Sequence, residues 1–249
     1  MKTKGILEVS VDSVESAVHA ELGGADRIEL CGDLVVGGVT PSLALYQRVR
    51  EKTHFPIHVL IRPRFGDFLY SEEEREVLLR QVRLFCEAGA DAIVTGVLTK
   101  EGMLDAGMMD KIKSIVGERL LCLHRAFDMC GDKRTALLMA ENLEINTILT
   151  SGGRKTAMDG METLSKMKAL AGPVDIMAGA GVTADHIKTL YEATGITSFH
   201  MSGKVILESK MEYRNPYVNM GLDSLSEYQL IQTDEEKVYA AAQVLHSIC

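Results

Sequence analysis

The amino-acid sequence predicts an α/β fold, a (β/α)8 TIM barrel, as a single domain over 1–249 with its barrel core at about 6–205. Three observations carry this expectation. The chain has 249 residues, close to the roughly 250 typical of one such barrel. Short β-branched or apolar runs alternate with amphipathic helical patterns from end to end, as parallel strands covered by helices require. No Ser/Pro/Gly-rich linker, charge block or low-complexity tract marks a boundary between two domains. A doubly wound open sheet is the alternative, but it does not need eight strand–helix units.

The elements follow in order. The first strand reads 6–11, with Asp12 as the N-cap of the next helix and Glu15 three residues on. Strand two is 27–31, and Thr40-Pro41 then supplies an N-cap and a proline at the first helical position. Strand three is 57–63. Ser71 and Glu74 form a capping box opening a helix whose Leu78, Val82, Phe85 and Cys86 make one apolar stripe. Further strands are expected at 92–97, 120–125, 147–151, 175–180 and 198–202. Helices end near Gly89, Gly117, Gly172 and Gly195, where a left-handed residue is expected. A final helix, about 233–248, starts at Thr233 with Glu236 as capping partner and turns Val238, Ala242, Leu245 and Ile248 inward. Gly24-Ala25-Asp26 and Gly89-Ala90-Asp91 form an internal echo at two helix-to-strand turns.

Composition narrows the function classes. The formal charge is −8 and the sequence pI about 5.4, with both signs mixed along the chain. Phosphate-backbone binding needs a basic face, so nucleic acid is not an expected partner. No apolar run approaches the roughly 18 residues of a membrane span, and the amino-terminal segment MKTKGILEVSVDS lacks a signal-peptide core. A cytoplasmic protein is expected. Cys31, Cys86, Cys122, Cys130 and Cys249 are odd in number, widely spaced and without CxxC, which argues against a disulfide framework and a structural zinc site.

Strand parity picks out the chemical residues, because alternate side chains share a face. Glu8 pairs with Ser10, Glu29 with Cys31, His58 with Leu60 and Arg62, Cys122 with His124, and His200 with Ser202. Charged and imidazole groups at the ends of apolar strands must pair, bind a ligand or meet water. At the carboxyl ends of barrel strands they usually build the site, the alternative being a salt-bridge layer that plugs the mouth. Glu8, Glu29, His124 and His200 are candidates for proton transfer, with Asp128 as a carboxylate orienting His124. Arg62-Pro63-Arg64 offers two guanidiniums to clamp a carboxylate or phosphate. Three loops, with Ser151, Gly152 and Gly153, then Gly179 and Gly181, then Ser202 and Gly203, present backbone amides to an oxyanion. Phe65, Phe68, Leu69 and Tyr70 make a loop too apolar for plain exposure, either a lid or a subunit contact in a homo-oligomer. No lysine falls inside a candidate strand, which disfavours Schiff-base chemistry.

Taken together these segments resemble the CutC family, named as copper homeostasis proteins and built as TIM barrels. The resemblance covers about 6–205 and is carried by Glu8-Val9-Ser10, Gly24-Ala25-Asp26-Arg27-Ile28-Glu29-Leu30-Cys31, Gly37-Gly38-Val39-Thr40-Pro41-Ser42 and Ile61-Arg62-Pro63-Arg64 with Gly66-Asp67-Phe68. It continues through His124-Arg125-Ala126-Phe127-Asp128, Leu149-Thr150-Ser151-Gly152-Gly153, Met177-Ala178-Gly179-Ala180-Gly181-Val182 and His200-Met201-Ser202-Gly203. Phe65 stands where the family often has glycine. The resemblance implies a role in copper tolerance, with Cu(I) as ligand and a cysteine as its contact. Cys31, in a family motif at a strand end, is the candidate, and Cys122, Cys130, Met129 or Met201 could assist, since Cu(I) prefers thiolate and thioether donors. The residues themselves hold no MxCxxC, CxC or dense methionine array, and Met108, Met109, Met139 and Met167 fall in helical stripes suited to core packing. Two classes stay open: a copper-ion carrier, or an enzyme acting on a small anionic or phosphorylated metabolite by acid–base or divalent-metal-assisted chemistry. A purely structural scaffold leaves the strand-end charges unexplained.

Overall fold

Eight short parallel strands close on themselves in chain order: β1 (Ile6–Val11), β2 (Arg27–Leu30), β3 (Ile57–Leu60), β4 (Ala92–Thr95), β5 (Leu120–Leu123), β6 (Thr147–Thr150), β7 (Asp175–Ala178) and β8 (Ser198–Met201). Pairing of Ile6 with Ser198 and of Glu8 with His200 shuts the cylinder. Helices α1 (Val14–Leu22), α2 (Leu43–Lys52), α3 (Glu72–Glu87), α4 (Ala106–Val116), α5 (Lys133–Asn142), α6 (Met161–Leu170), α7 (Ala184–Thr194) and α8 (Glu235–Ile248) accompany them. The chain is therefore a (β/α)8 barrel. The computed structural model describes residues 5–218, 220 and 226–249.

Strand alternation gives each strand two tasks. Leu7, Val9, Val11, Ile28, Leu30, Ile57 and Val59 point outward and are fully buried in the cluster that includes Leu78, Val82 and Phe85 of α3. The alternate residues fill the barrel interior, where Leu60, Ala92, Val94, Cys31 and Cys122 form a small separate apolar cluster. Charged side chains share this interior, so the barrel is a packed but polar core rather than an open pore.

β1 spans the predicted 6–11, while the other seven strands end one to three residues before their predicted carboxyl ends. Past the fourth residue the ladder thins to single bonds, such as Cys31 N–H to Val11 O and His124 N–H to Thr95 O. Arg62 N–H leaves it altogether, donating to the Thr40 hydroxyl at 2.9 Å. Three predicted caps move by one or two residues. Ser13, not Asp12, accepts the α1 amide from Ser16, because Asp12 is already engaged by the Leu34 amide. Ser42, not Thr40, caps α2, since the Thr40 hydroxyl is committed to Arg62 N–H and to Gln81. Asp234, not Thr233, caps α8; Thr233 is the last residue of a strand and donates its hydroxyl to Ser202 O. The Ser71–Glu74 capping box of α3 forms as expected. Gly24 and Gly89 both have positive φ, and the aspartates after them accept amides from Leu7 and Ile57, so the internal echo is a repeated strand-start clasp.

One element was not anticipated. Between β8 and α8 an antiparallel hairpin, β9 (Lys204–Glu208) with β10 (Gln229–Thr233), stands apart from the barrel sheet. Its base lies against the barrel mouth, with Thr233 N–H donating to the Ser16 hydroxyl and His19 Nδ1 on Thr233 O at 2.8 Å. No helix among the described residues is long and apolar enough to cross a membrane.

Candidate functional site

Inside the barrel, one ion network ties four strands together. Arg27 Nε donates to Glu8 Oε2 at 2.6 Å, and His58 Nδ1 meets the same oxygen at 3.1 Å. His58 Nδ1 also lies 3.8 Å from the Cys122 sulfur. Burial disfavours the Glu8 carboxylate, but Arg27, then His58 and His200, outweigh it and hold its pKa well below the usual carboxylate range. Burial likewise works against the His58 imidazolium, yet the hydrogen bonds to Cys122 and Glu8 raise it to about 9.

One layer nearer the mouth, His200 Nε2 meets Glu29 Oε2 at 3.1 Å, with Glu8 Oε1 at 3.9 Å behind it. Burial pulls the His200 pKa down, and the hydrogen bond and charge of Glu29 raise it above the ordinary value. This pair lies on the floor of a cavity of about 760 Å3 at the carboxyl ends of the strands. Arg62 and His124 line its wall; Ser10 contributes from β1, and Asp12, Ala180, Gly181 and Ser202 from loops. The hairpin closes one side with Ile206, Ile231 and Thr233.

The expected convergence of five residues thus takes a layered form. Glu29, Arg62, His124 and His200 face one cavity, while Glu8 sits beneath it as the anchor of the deeper network. Arg64 points elsewhere: its guanidinium is held by Glu74 at 2.6 Å and by Asp67 at 3.1 Å. Asp128 does not orient His124. It accepts hydrogen bonds from the Thr150 hydroxyl at 2.5 Å, from the Ser151 and Gly153 amides, and from Arg125. Gly152 N–H donates to the Thr150 hydroxyl. The amides of the 151–153 loop are therefore taken by Asp128 and the Thr150 hydroxyl, and Gly179 N–H is used by Thr150 O. Gly203 joins β8 to the hairpin, its carbonyl accepting Asp234 N–H.

Cys31 is 1 % exposed, and its thiol donates to Glu29 Oε2 at 3.7 Å. Burial, followed by the charge of Glu29, pushes its pKa well above the ordinary thiol value. Among the described residues, no group of three or more His, Cys, Asp or Glu side chains is arranged to hold a metal ion.

The family model for the CutC family matches residues 5–205, the whole barrel. This chain belongs to the CutC family. It is 43 % identical over 235 residues to the human "Copper homeostasis protein cutC homolog", covering 94 % of this chain and 86 % of that one. A Salmonella schwarzengrund "family protein CutC" is 40 % identical over 234 residues, with 94 % and 91 % covered. The solved structure of the putative copper homeostasis protein CutC from Streptococcus agalactiae superposes with a TM-score of 0.75 at 26 % identity, covering 80 % of this chain and 98 % of that one.

In this CutC-family barrel, Arg27 and Gly96 lay outside the sequence-derived set, and Phe68 stood in it only as part of the apolar 65–70 loop. Arg27 shares strand parity with Glu29, so its inward position was readable, but its partner Glu8 was not. Phe68 touches both Arg62 and His124, a contact fixed by the return of the 65–70 loop over the mouth. Gly96 also escaped notice: a Cβ there would lie 2.9 Å from His124 Cε1, so its missing side chain makes room for the imidazole.

Proposed function

We propose that this CutC-family protein serves copper homeostasis from the cytosol as an acid–base barrel acting on a small anionic metabolite, rather than as a thiolate carrier of the ion. The observation that carries this reading is the Glu29–His200 pair on the floor of the mouth cavity. A histidine whose pKa is raised by an adjacent carboxylate is a proton donor near neutrality, and the carboxylate takes the proton back. Beneath it, Glu8, Arg27 and His58 fix the pair without touching the cavity. The metabolite fits the volume, and Arg62 and His124 give its polar end a wall to meet.

The second reading, direct Cu(I) binding through Cys31, is favoured by the names of the relatives. Against it stands the local chemistry: Cu(I) takes thiolates and thioethers, whereas this thiol is buried, protonated and hydrogen-bonded to a carboxylate. All five cysteines are free thiols, as the reducing cytosol maintains.

Two variants separate the readings. Competition with a Cu(I) chelator and copper tolerance in a strain lacking the gene are measured for Cys31→Ser and Glu29→Gln. The acid–base reading expects Glu29→Gln to lose tolerance and Cys31→Ser to match the parent in both tolerance and Cu(I) competition. A sharp fall in Cu(I) affinity with Cys31→Ser, alongside an unaffected Glu29→Gln, establishes the carrier instead.

A further inference from the structure

Among the described residues, four buried side-chain polar atoms have no hydrogen-bond partner: Arg27 Nη2, Arg62 Nε, Tyr70 Oη and His124 Nε2. Arg62 and His124 flank one ring. Phe68 lies 4.8 Å from the His124 ring, centroid to centroid, and the Arg62 guanidinium carbon sits 5.1 Å over the Phe68 centroid. Tyr70, two residues on, is close enough to Arg62 to feel its charge. An orphaned buried polar atom bears its full desolvation penalty, so two on residues that flank one side chain call for an explanation.

The two orphans beside Phe68 are donors, and their orientation is fixed. Arg62 spends Nη1 on the carbonyls of Gly37 and Gly38 and one Nη2 hydrogen on that of Gly66, which leaves Nε–H and the second Nη2–H. Gly38 has φ +81, a left-handed conformation suited to glycine that turns its carbonyl to this task. His124 Nδ1 accepts the Ala126 amide at 3.1 Å, so the ring hydrogen is on Nε2. Burial and the neighbouring Arg62 charge keep the imidazole neutral down to about pH 3, so it stays a single donor. Both residues are at least nine-tenths buried and line the mouth cavity.

We propose that a carboxylate group of the ligand binds here, accepting hydrogen bonds from Arg62 Nε–H and His124 Nε2–H, with Phe68 as the cover that swings aside to admit it. This rests on the acid–base reading above and names the handle by which the ligand is held. A monoanion with two acceptor oxygens matches one guanidinium whose forks are largely committed and one neutral imidazole. A phosphate dianion asks for more charge and for loop amides, and those of residues 151–153 are already given to Asp128. A small carboxylic acid bound this way projects its other end across the cavity toward Glu29 and His200.

The test is a titration of the ¹⁵N-histidine-labelled protein with acetate, and separately with methyl phosphate, following the His124 ring signals. Acetate is expected to shift the Nε2–H resonance, and Phe68→Ala to tighten binding about tenfold by removing the cover. His124→Asn keeps an oxygen where Nδ1 caps Ala126 but deletes the Nε2 donor, and is expected, by calorimetric titration alongside the parent, to weaken acetate about tenfold, the worth of one hydrogen bond. Glu29→Gln is expected to bind acetate like the parent, so failure of this subsite and failure of the acid–base pair are read separately. If saturating acetate leaves the His124 signals unmoved in both the parent and Phe68→Ala, the donors are satisfied by water only and the proposal is overturned. Tighter binding of methyl phosphate than of acetate overturns the carboxylate assignment.

Discussion

Glu8, Arg27 and His58 set how the protein responds to pH. The folded-state pKa of Glu8 is depressed from 4.5, so its contribution is present above that value and lost as pH falls through the depressed one. His58 is raised from 6.5 to about 9, so its contribution is complete below 6.5 and lost as pH rises through 9. A melting-temperature profile is therefore expected to peak near pH 6.5, to fall toward pH 9, and to fall below 6.5 as well, where the unfolded state protonates His124 while the folded one, its pKa lowered to about 3, does not. His58→Gln should flatten the alkaline limb. Arg27→Met leaves the Glu8 carboxylate buried beside a thioether; breaking a buried pair in this way costs about 3–5 kcal/mol, measurable by urea unfolding at pH 7. A loss below 1 kcal/mol would show that water reaches Glu8.

At the scale of elements, Asp128 holds the β6–α6 turn together. Its carboxylate satisfies the Ser151 and Gly153 amides, the Thr150 and Ser151 hydroxyls and Arg125. Asp128→Ala removes the shared acceptor, and the orphaned donors are expected to cost about 1–3 kcal/mol or more. The same variant frees the loop amides, so sulfate should stabilise it in thermal melts while leaving the parent unchanged. An equal sulfate effect on both would show that the amides are available despite Asp128. The α3 capping box makes a smaller claim: Ser71→Ala is expected to cost about 1 kcal/mol, with the barrel otherwise intact.

The hairpin bears on the whole molecule. Ile206, Leu207, Leu230, Met211, Tyr213 and Tyr217 on and beside β9 and β10 are exposed, Tyr217 at 93 %. So large an apolar arm is unusual on a monomer, and it gives the expected homo-oligomer a concrete surface. Light scattering is expected to find more than one chain per particle, and Ile206→Lys with Leu230→Lys to shift it to one. A monomeric parent would leave the arm for another partner.

What the sequence determined by itself was the order and type of elements and the inward parity of the polar residues. Glu29, His124 and His200 reach the mouth because alternation within a strand is local and survives any packing. Arg27 and Glu8 were legible as inward but not as a pair, because the stagger between β1 and β2 sets Glu8 opposite Arg27. Tertiary structure alone decided which acceptors were already spent. The Asp128 carboxylate, 22–25 residues from its partners in β6 and the loop after it, takes the amides that the glycines appear to offer. Arg64 turns to Glu74, and Arg62 gives its forks to three carbonyls from two loops. Hydrogen-bond capacity is finite and is allotted across the chain fold, so a motif names a donor while only the packed barrel shows whether it is free.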